Sequence, residues 1–309
     1  MAGVVAAGCM ASTVATASSR PPTRAADIVP ARFVAVTPLA PTRLAVYSAR
    51  TARLVKHLTA PMPGGGVVSP ELSADASTVV FTRGQGSCAS TIDTVPANGG
   101  REHVLIPMVG MGSRAIVASN ASYSADGEYL IYLTIRCSAP IDETVHVRNL
   151  HAYRTLTGPG SLGDPAVLIH HDDQVVFLSN NGLVALRLPS LRSAVHAAPP
   201  GCRYQALTGT ETELVALLQC GSRDALSIVS ISLRSFDVTG TLLRLGSCLG
   251  GEDISLAPRA PSVMLAETYL ACLRPGRLPG DFRILIVRGH KTTVLLSGRY
   301  DHMPQDPVW

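Results

Sequence analysis

One pattern constrains this 309-residue chain more than any other: a polar turn followed by an apolar run, returning about every 45–50 residues. Leu72-Ser-Ala-Asp-Ala-Ser77 precedes Thr78-Val-Val-Phe-Thr82, and Tyr123-Ser-Ala-Asp-Gly-Glu128 precedes Tyr129-Leu-Ile-Tyr-Leu133. Ile169–Asp173 before Val175–Leu178, Thr208–Thr212 before Leu214–Leu218, and Leu256–Ala260 before Val263–Glu267 continue the series. The turns are rich in Ser, Asp, Gly and Pro, which favour tight backbone geometry, and β-branched and aromatic residues fill the runs. Weaker strand-like stretches follow each run, at Thr91–Val95, Val145–Leu150, Leu183–Leu188, Leu226–Leu233 and Arg283–Val287. No long segment sustains a 3.6-residue apolar period, although Thr51–Leu58 fits a short helix about as well as a strand.

A repeat of this length with four antiparallel strands predicts an all-β fold, a β-propeller. Five units run from about Gly65 to Gly298. Ahead of them Phe33–Thr37, Arg43–Tyr47 and Ala52–Leu58 supply three strands, and Asp301–Trp309 behind them supplies one. Together they complete a sixth blade shared by both chain ends, which removes exposed sheet edges at the closure. A ring of five or seven blades is the competing arrangement.

The Ser-x-Asp-Gly turn before an apolar strand resembles the TolB-type, WD40-like propeller repeat, over roughly Arg32 to Trp309. His171 and Thr210 stand where that pattern prefers Ser or Asp. The resemblance implies a cell-envelope protein that acts by binding.

The seven cysteines fit such a ring. Cys202 and Cys220 are equidistant from residue 211, and Cys248 and Cys272 from residue 260, both inside predicted turns. Residues so placed face each other across an unbulged hairpin, within disulfide reach. Cys88 and Cys137 follow the second strands of consecutive blades and pair by elimination. All six then share one rim of the ring; six reduced, buried thiols are the alternative.

Cys9 is left over. Ala6-Ala7-Gly8-Cys9 resembles a bacterial lipoprotein lipobox, in which the cysteine becomes the lipid-bearing N-terminus. The Ser/Thr/Ala/Pro tract after it, to about Pro30, reads as a tether. The expected organisation is a signal and tether over residues 1–30 and a propeller over 31–309. Lipidation would hold the protein outside the cytoplasm, with the lipid as its sole membrane attachment. A start at Met1 with no basic n-region would leave it inside.

Composition and motifs narrow the function. Charged residues are 16% of the chain and net charge is +4, too little and too scattered to predict nucleic-acid binding. No apolar stretch approaches the roughly 20 residues that span a bilayer. Gly158-Pro-Gly-Ser-Leu-Gly163 matches a phosphate loop by letter but leads into a strand, so an interblade loop is expected. His170-His171-Asp172-Asp173 and Asp301-His302 read as solvated turns rather than metal ligands. Asn120-Ala-Ser122 is a glycosylation sequon by letter only. Ser113, in Gly110-Met-Gly-Ser-Arg114, has no assignable His and acid partners. The expectation is a monomeric, non-catalytic, cofactor-free envelope module that presents blade loops to a protein or small-molecule partner. An extracytoplasmic hydrolase or lyase with its site at the central channel is the alternative.

Overall fold

The computed structural model describes residues 29–309 except 40–41, 62–64, 85–87, 125, 139–141, 153, 160–165, 170–173, 180, 189, 211, 222–224, 247–248, 258–259, 271–280 and 300–303. It contains six four-stranded antiparallel sheets arranged as a ring. Blade 1 holds β1 (Arg32–Val36), β2 (Leu44–Ser48) and β3 (Leu54–His57). Blade 2 holds β4 (Gly66–Leu72), β5 (Thr78–Gly84), β6 (Ser90–Pro96) and β7 (His103–Ile106). Blade 3 holds β8 (Ile116–Tyr123), β9 (Tyr129–Arg136), β10 (Asp142–Asn149) and β11 (Thr155–Pro159). Blade 4 holds β12 (Ala166–Ile169), β13 (Gln174–Ser179), β14 (Gly182–Arg187) and β15 (Arg192–His196). Blade 5 holds β16 (Cys202–Gly209), β17 (Leu214–Cys220), β18 (Ala225–Ile231) and β19 (Val238–Gly246). Blade 6 holds β20 (Leu249–Ala257), β21 (Ala260–Leu270), β22 (Asp281–Arg288) and β23 (Lys291–Arg299). The last strand, β24 (Gln305–Val308), joins blade 1 in the order β24-β1-β2-β3. The ring therefore has six members, closed by one C-terminal and three N-terminal strands. Thr51–Leu58 supplies β3 rather than a helix, because Ala45 and Val46 of β2 pair with His57 and Lys56.

The core follows from strand alternation. Successive side chains point to opposite faces of a sheet, and each inner blade face meets a neighbouring blade. Leu214, Ala216 and Leu218 of β17 pack toward blade 4 beside Val176, while Val215 and Leu217 pack toward blade 6 beside Ala266 and Leu285. Six buried clusters result, one in each gap between neighbouring blades. Burial on both faces explains why the second strands read as continuous apolar runs rather than alternating ones. Each fully buried Leu or Phe contributes about 2 kcal/mol of transfer free energy.

The repeated turn owes its form to one hydrogen-bond set, used twice. In blade 2, Ser73 Oγ donates to Asp75 Oδ1 at 2.6 Å, and the same oxygen accepts the Ser77 N–H at 3.0 Å. Ser73 Oγ in turn accepts the Thr78 N–H at 3.0 Å. In blade 3, Ser124, Asp126, Glu128 and Tyr129 reproduce the same bonds. The side chains thus satisfy backbone donors that the hairpin leaves unpaired. Among the described residues no helix is long and apolar enough to cross a membrane.

Candidate functional site

The six innermost strands β4, β8, β12, β16, β20 and β24 line a central channel, and one end of it opens as a cavity of about 340 Å³. All six contribute their C-terminal ends: Leu72, Tyr123, Leu168, Gly209, Leu256 and Trp309 each lie in the wall. Among the described residues hydroxyls dominate its polar lining, from Ser73, Ser122, Ser124, Thr208, Thr210, Thr212 and Ser255. Two carboxylates, Glu71 and Asp126, also reach it, and Asp126 is held by the turn bonds described above. At the rim, the turn bonds from Ser73 and then Ser77 hold the Asp75 carboxyl at a pKa of about 2. Burial, and then the nearby Asp75 charge, push the Tyr123 phenol above its ordinary value.

Three inner strands carry the same irregularity, which no sequence motif announced. In β4, β8 and β24 two residues oppose one on the neighbouring strand, at Ser69-Pro70, Asn120-Ala121 and Asp306-Pro307. The first residue of each pair has positive φ, at 52°, 52° and 48°. Such bulges release a backbone N–H from the ladder. Here the neighbouring blade takes it up: Asp306 Oδ2 accepts the Ser69 N–H at 3.3 Å, and Thr82 Oγ1 accepts the Asn120 N–H at 3.2 Å. Burial raises the Asp306 pKa, and its bond from Ser69 opposes that shift. Further interblade bonds run from the Ala166 N–H to Ser122 Oγ at 3.1 Å and from the Trp309 N–H to Ser255 Oγ at 3.4 Å. The sequon residue Asn120 lies inside this bulge, on an inner strand.

The opposite face of the ring carries the disulfides. Cys88 and Cys137 are bonded, with Cα atoms 5.8 Å apart, and join blades 2 and 3 just beyond β5 and β9. Cys202 and Cys220 are bonded at 4.0 Å between Cα atoms, directly opposite across β16 and β17. The geometric reason differs from the one read in the sequence. Gly209 pairs with Leu214, so the turn is centred half a residue past 211, and an extra residue at Gln205 restores the register. Disulfides of this kind persist in oxidising compartments. Cys248 and Cys272, the lipobox at Cys9, the tetrad His170–Asp173 and the pair Asp301-His302 lie outside the described residues. Gly158 and Pro159 are in β11 rather than in a loop, and Ser113 sits in a 3-10 turn, Gly112–Arg114. Among the described residues no group of three or more His, Cys, Asp or Glu is placed to hold a metal ion.

The fold and this opening define the chain as a six-bladed β-propeller with a hydroxyl-lined cavity at one mouth of its channel. It is similar to a solved structure of TolB from Acinetobacter baumannii, with a TM-score of 0.63 and 14% identity. That match covers 90% of this chain, which spans 65% of the TolB chain. A protein of unknown function from Bacteroides caccae is similar at a TM-score of 0.55 and 9% identity, over 90% of this chain and 98% of that one. An oligogalacturonate lyase in complex with manganese is similar at a TM-score of 0.53 and 12% identity, over 84% and 70%. At these identities the likeness is one of fold. No protein-family model and no curated protein sequence matches the chain.

Proposed function

We propose that this protein is a non-catalytic, extracytoplasmic binding module of the cell envelope, which receives a protein or small-molecule partner at the cavity mouth. The carrying observation is the lining: six strand ends converge on one opening whose polar groups, among the described residues, are mostly hydroxyls. Hydroxyls and main-chain groups orient a ligand by hydrogen bonds, whereas acid–base chemistry needs titratable groups poised beside the reacting atoms. Asp126, one of the two cavity carboxylates, accepts the Ser124 hydroxyl and the Glu128 N–H and so shapes its own turn. The two disulfides support an address outside the cytoplasm. Lipidation at Cys9 belongs to the same reading and is checked by the intact mass of the native product.

The test is to plug the mouth. Ala74 lines it from the blade 2 turn and contributes no side-chain hydrogen bond, so Ala74→Trp fills the opening and leaves the turn bonds intact. A photocrosslinking residue at Thr210 should capture one defined partner from native envelope fractions, and Ala74→Trp should abolish that capture. Capture unaffected by the plug would put the binding surface elsewhere. Turnover of a glycan or peptide substrate that the plug abolishes would overturn the non-catalytic reading in favour of a channel enzyme.

A further inference from the structure

Blade 1 has an unusual charge pattern. Between Asp27 and Glu71 the sequence has no carboxylate, yet it carries Arg32, Arg43, Arg50, Arg53 and Lys56, more positive charge than the net +4 of the whole chain. The fold gathers three of these at one end of the blade. Arg32 begins β1 opposite Ser48, and the Ala49 N–H donates to the Ala31 carbonyl at 3.0 Å. The Ser48 N–H donates to the Arg53 carbonyl at 2.9 Å, and Ser48 Oγ accepts the Arg50 N–H at 3.3 Å. Arg32, Arg50 and Arg53 are all exposed, and none is ion-paired with a described carboxylate.

Beside them, on the outermost strand β3, Leu54 and Val55 are 49% and 44% exposed. The charged groups nearby do not cancel the patch. Lys56 Nζ donates to the Asn98 carbonyl of blade 2. Glu102 of blade 2 accepts the Ala60 N–H and pairs with Arg83. Asp306 lies on the lumen side of the same blade, its Oδ2 accepting the Ser69 N–H. His57, at the far end of β3, is held below the ordinary imidazole range by desolvation and then by Arg43, so it adds little charge at neutral pH.

We propose that this outer edge of blade 1 is a docking surface for an anionic lipid bilayer, with the three guanidiniums on headgroup phosphates and Leu54 and Val55 in the interfacial layer. Guanidinium suits phosphate by its planar fork of donors, and exposed aliphatic side chains beside cations match a headgroup boundary. A soluble polyanion would use the charges but gain little from Leu54 and Val55, so the bilayer is the occupant the patch favours. Leu54 and Val55 on β3 lie three strand spacings, about 14 Å, from the channel strand β24, whereas Arg32 on β1 neighbours β24 directly. The patch and the cavity mouth share one face of the ring, so the plugged variant below distinguishes the two surfaces. The chain also enters the ring at this blade, which places any attachment through the preceding residues beside the same patch.

The test uses the full chain with Cys9→Ser, so that no lipid contributes, in sedimentation with mixed phosphatidylglycerol–phosphatidylcholine vesicles and with pure phosphatidylcholine. The protein should bind the anionic vesicles and not the neutral ones, and release as salt is raised. Arg32→Gln with Arg50→Gln and Arg53→Gln should weaken binding about a hundredfold, from about tenfold or less per cation. Leu54→Ser with Val55→Ser should weaken it about tenfold. Arg192→Gln, on the outer strand of blade 4, and Ala74→Trp should change nothing, which separates this surface from the cavity. Unchanged melting temperatures show that the variants fold. Equal binding to neutral vesicles, or undiminished binding by the triple variant, overturns the proposal. So does capture of soluble polyphosphate by a protein that leaves the anionic vesicles unbound.

Discussion

Asp126 and Asp75 occupy equivalent turns, and each accepts a serine hydroxyl and a backbone N–H two residues on. Replacing Asp126 with Ala strands the Glu128 N–H and frees Ser124, and should cost about 1 kcal/mol in urea unfolding at unchanged m-value. Asp126→Asn keeps an acceptor and should cost less. The pH behaviour of two other carboxylates has opposite signs. Asp75 is held at about 2, below its ordinary 3.8, so its stabilisation is complete above pH 3.8 and is lost as pH falls through about 2. Asp306 is raised, so its ionisation opposes folding: its contribution is most favourable below pH 3.8 and declines as pH rises through the folded value. Asp306→Asn retains an oxygen for the Ser69 N–H and should therefore raise Tm at pH 7, with a smaller gain at pH 3. An equal gain at both pH values would mean that ionisation is not the cause.

At the scale of strands and turns, the sequence was legible where local chemistry decides geometry. Ser73, Asp75, Ser124 and Asp126 fix hairpins within six residues, so the repeat could be read directly. The continuous run Leu214–Leu218 marked a strand buried on both faces. The bulges were not legible, because Ser69-Pro70, Asn120-Ala121 and Asp306-Pro307 share little beyond a small or polar residue before Pro or Ala. Asn120 and Asp306 tolerate positive φ better than most residues, but Ser69 shows that residue type alone does not mark the position. The bonds that take up the Ser69 and Asn120 N–H groups come from the neighbouring blade. Cys202 and Cys220 pair because a turn offset and the extra Gln205 cancel, which spacing alone conceals. Both disulfides should stabilise chiefly by restricting the unfolded chain. Removing Cys202–Cys220 by paired Ala substitutions should cost about 3 kcal/mol, and removing Cys88–Cys137 about 4, because the cost grows with the logarithm of the loops of 18 and 49 residues that they close. Guanidinium unfolding of each double variant measures the difference. Leu217→Ala, fully buried between blades 5 and 6, should cost about 3 kcal/mol by leaving a cavity.

The cavity exists only at the scale of the whole molecule. Glu71 and Trp309 share its wall although nearly the length of the propeller separates them in sequence, and Ser69 meets Asp306 across 237 positions. No local motif contains such a site, which is why composition and spacing could specify a ring but not its lining. The basic edge of blade 1 is assembled over a much shorter range, from β1, the β2–β3 turn and the approach to β3. What the acid-free stretch did not show was that the fold brings these cations to one end of the blade. The cavity exists only because β24 occupies the innermost place in blade 1. Val34 and Val308 are directly opposite in that pairing, both buried in the gap toward blade 2. Val34→Cys with Val308→Cys should therefore form a disulfide under oxidising conditions, found as a cross-linked pair in non-reducing peptide maps, and should raise Tm. Free thiols at both positions, in protein whose Cys88–Cys137 and Cys202–Cys220 bonds are formed, would contradict the closed ring.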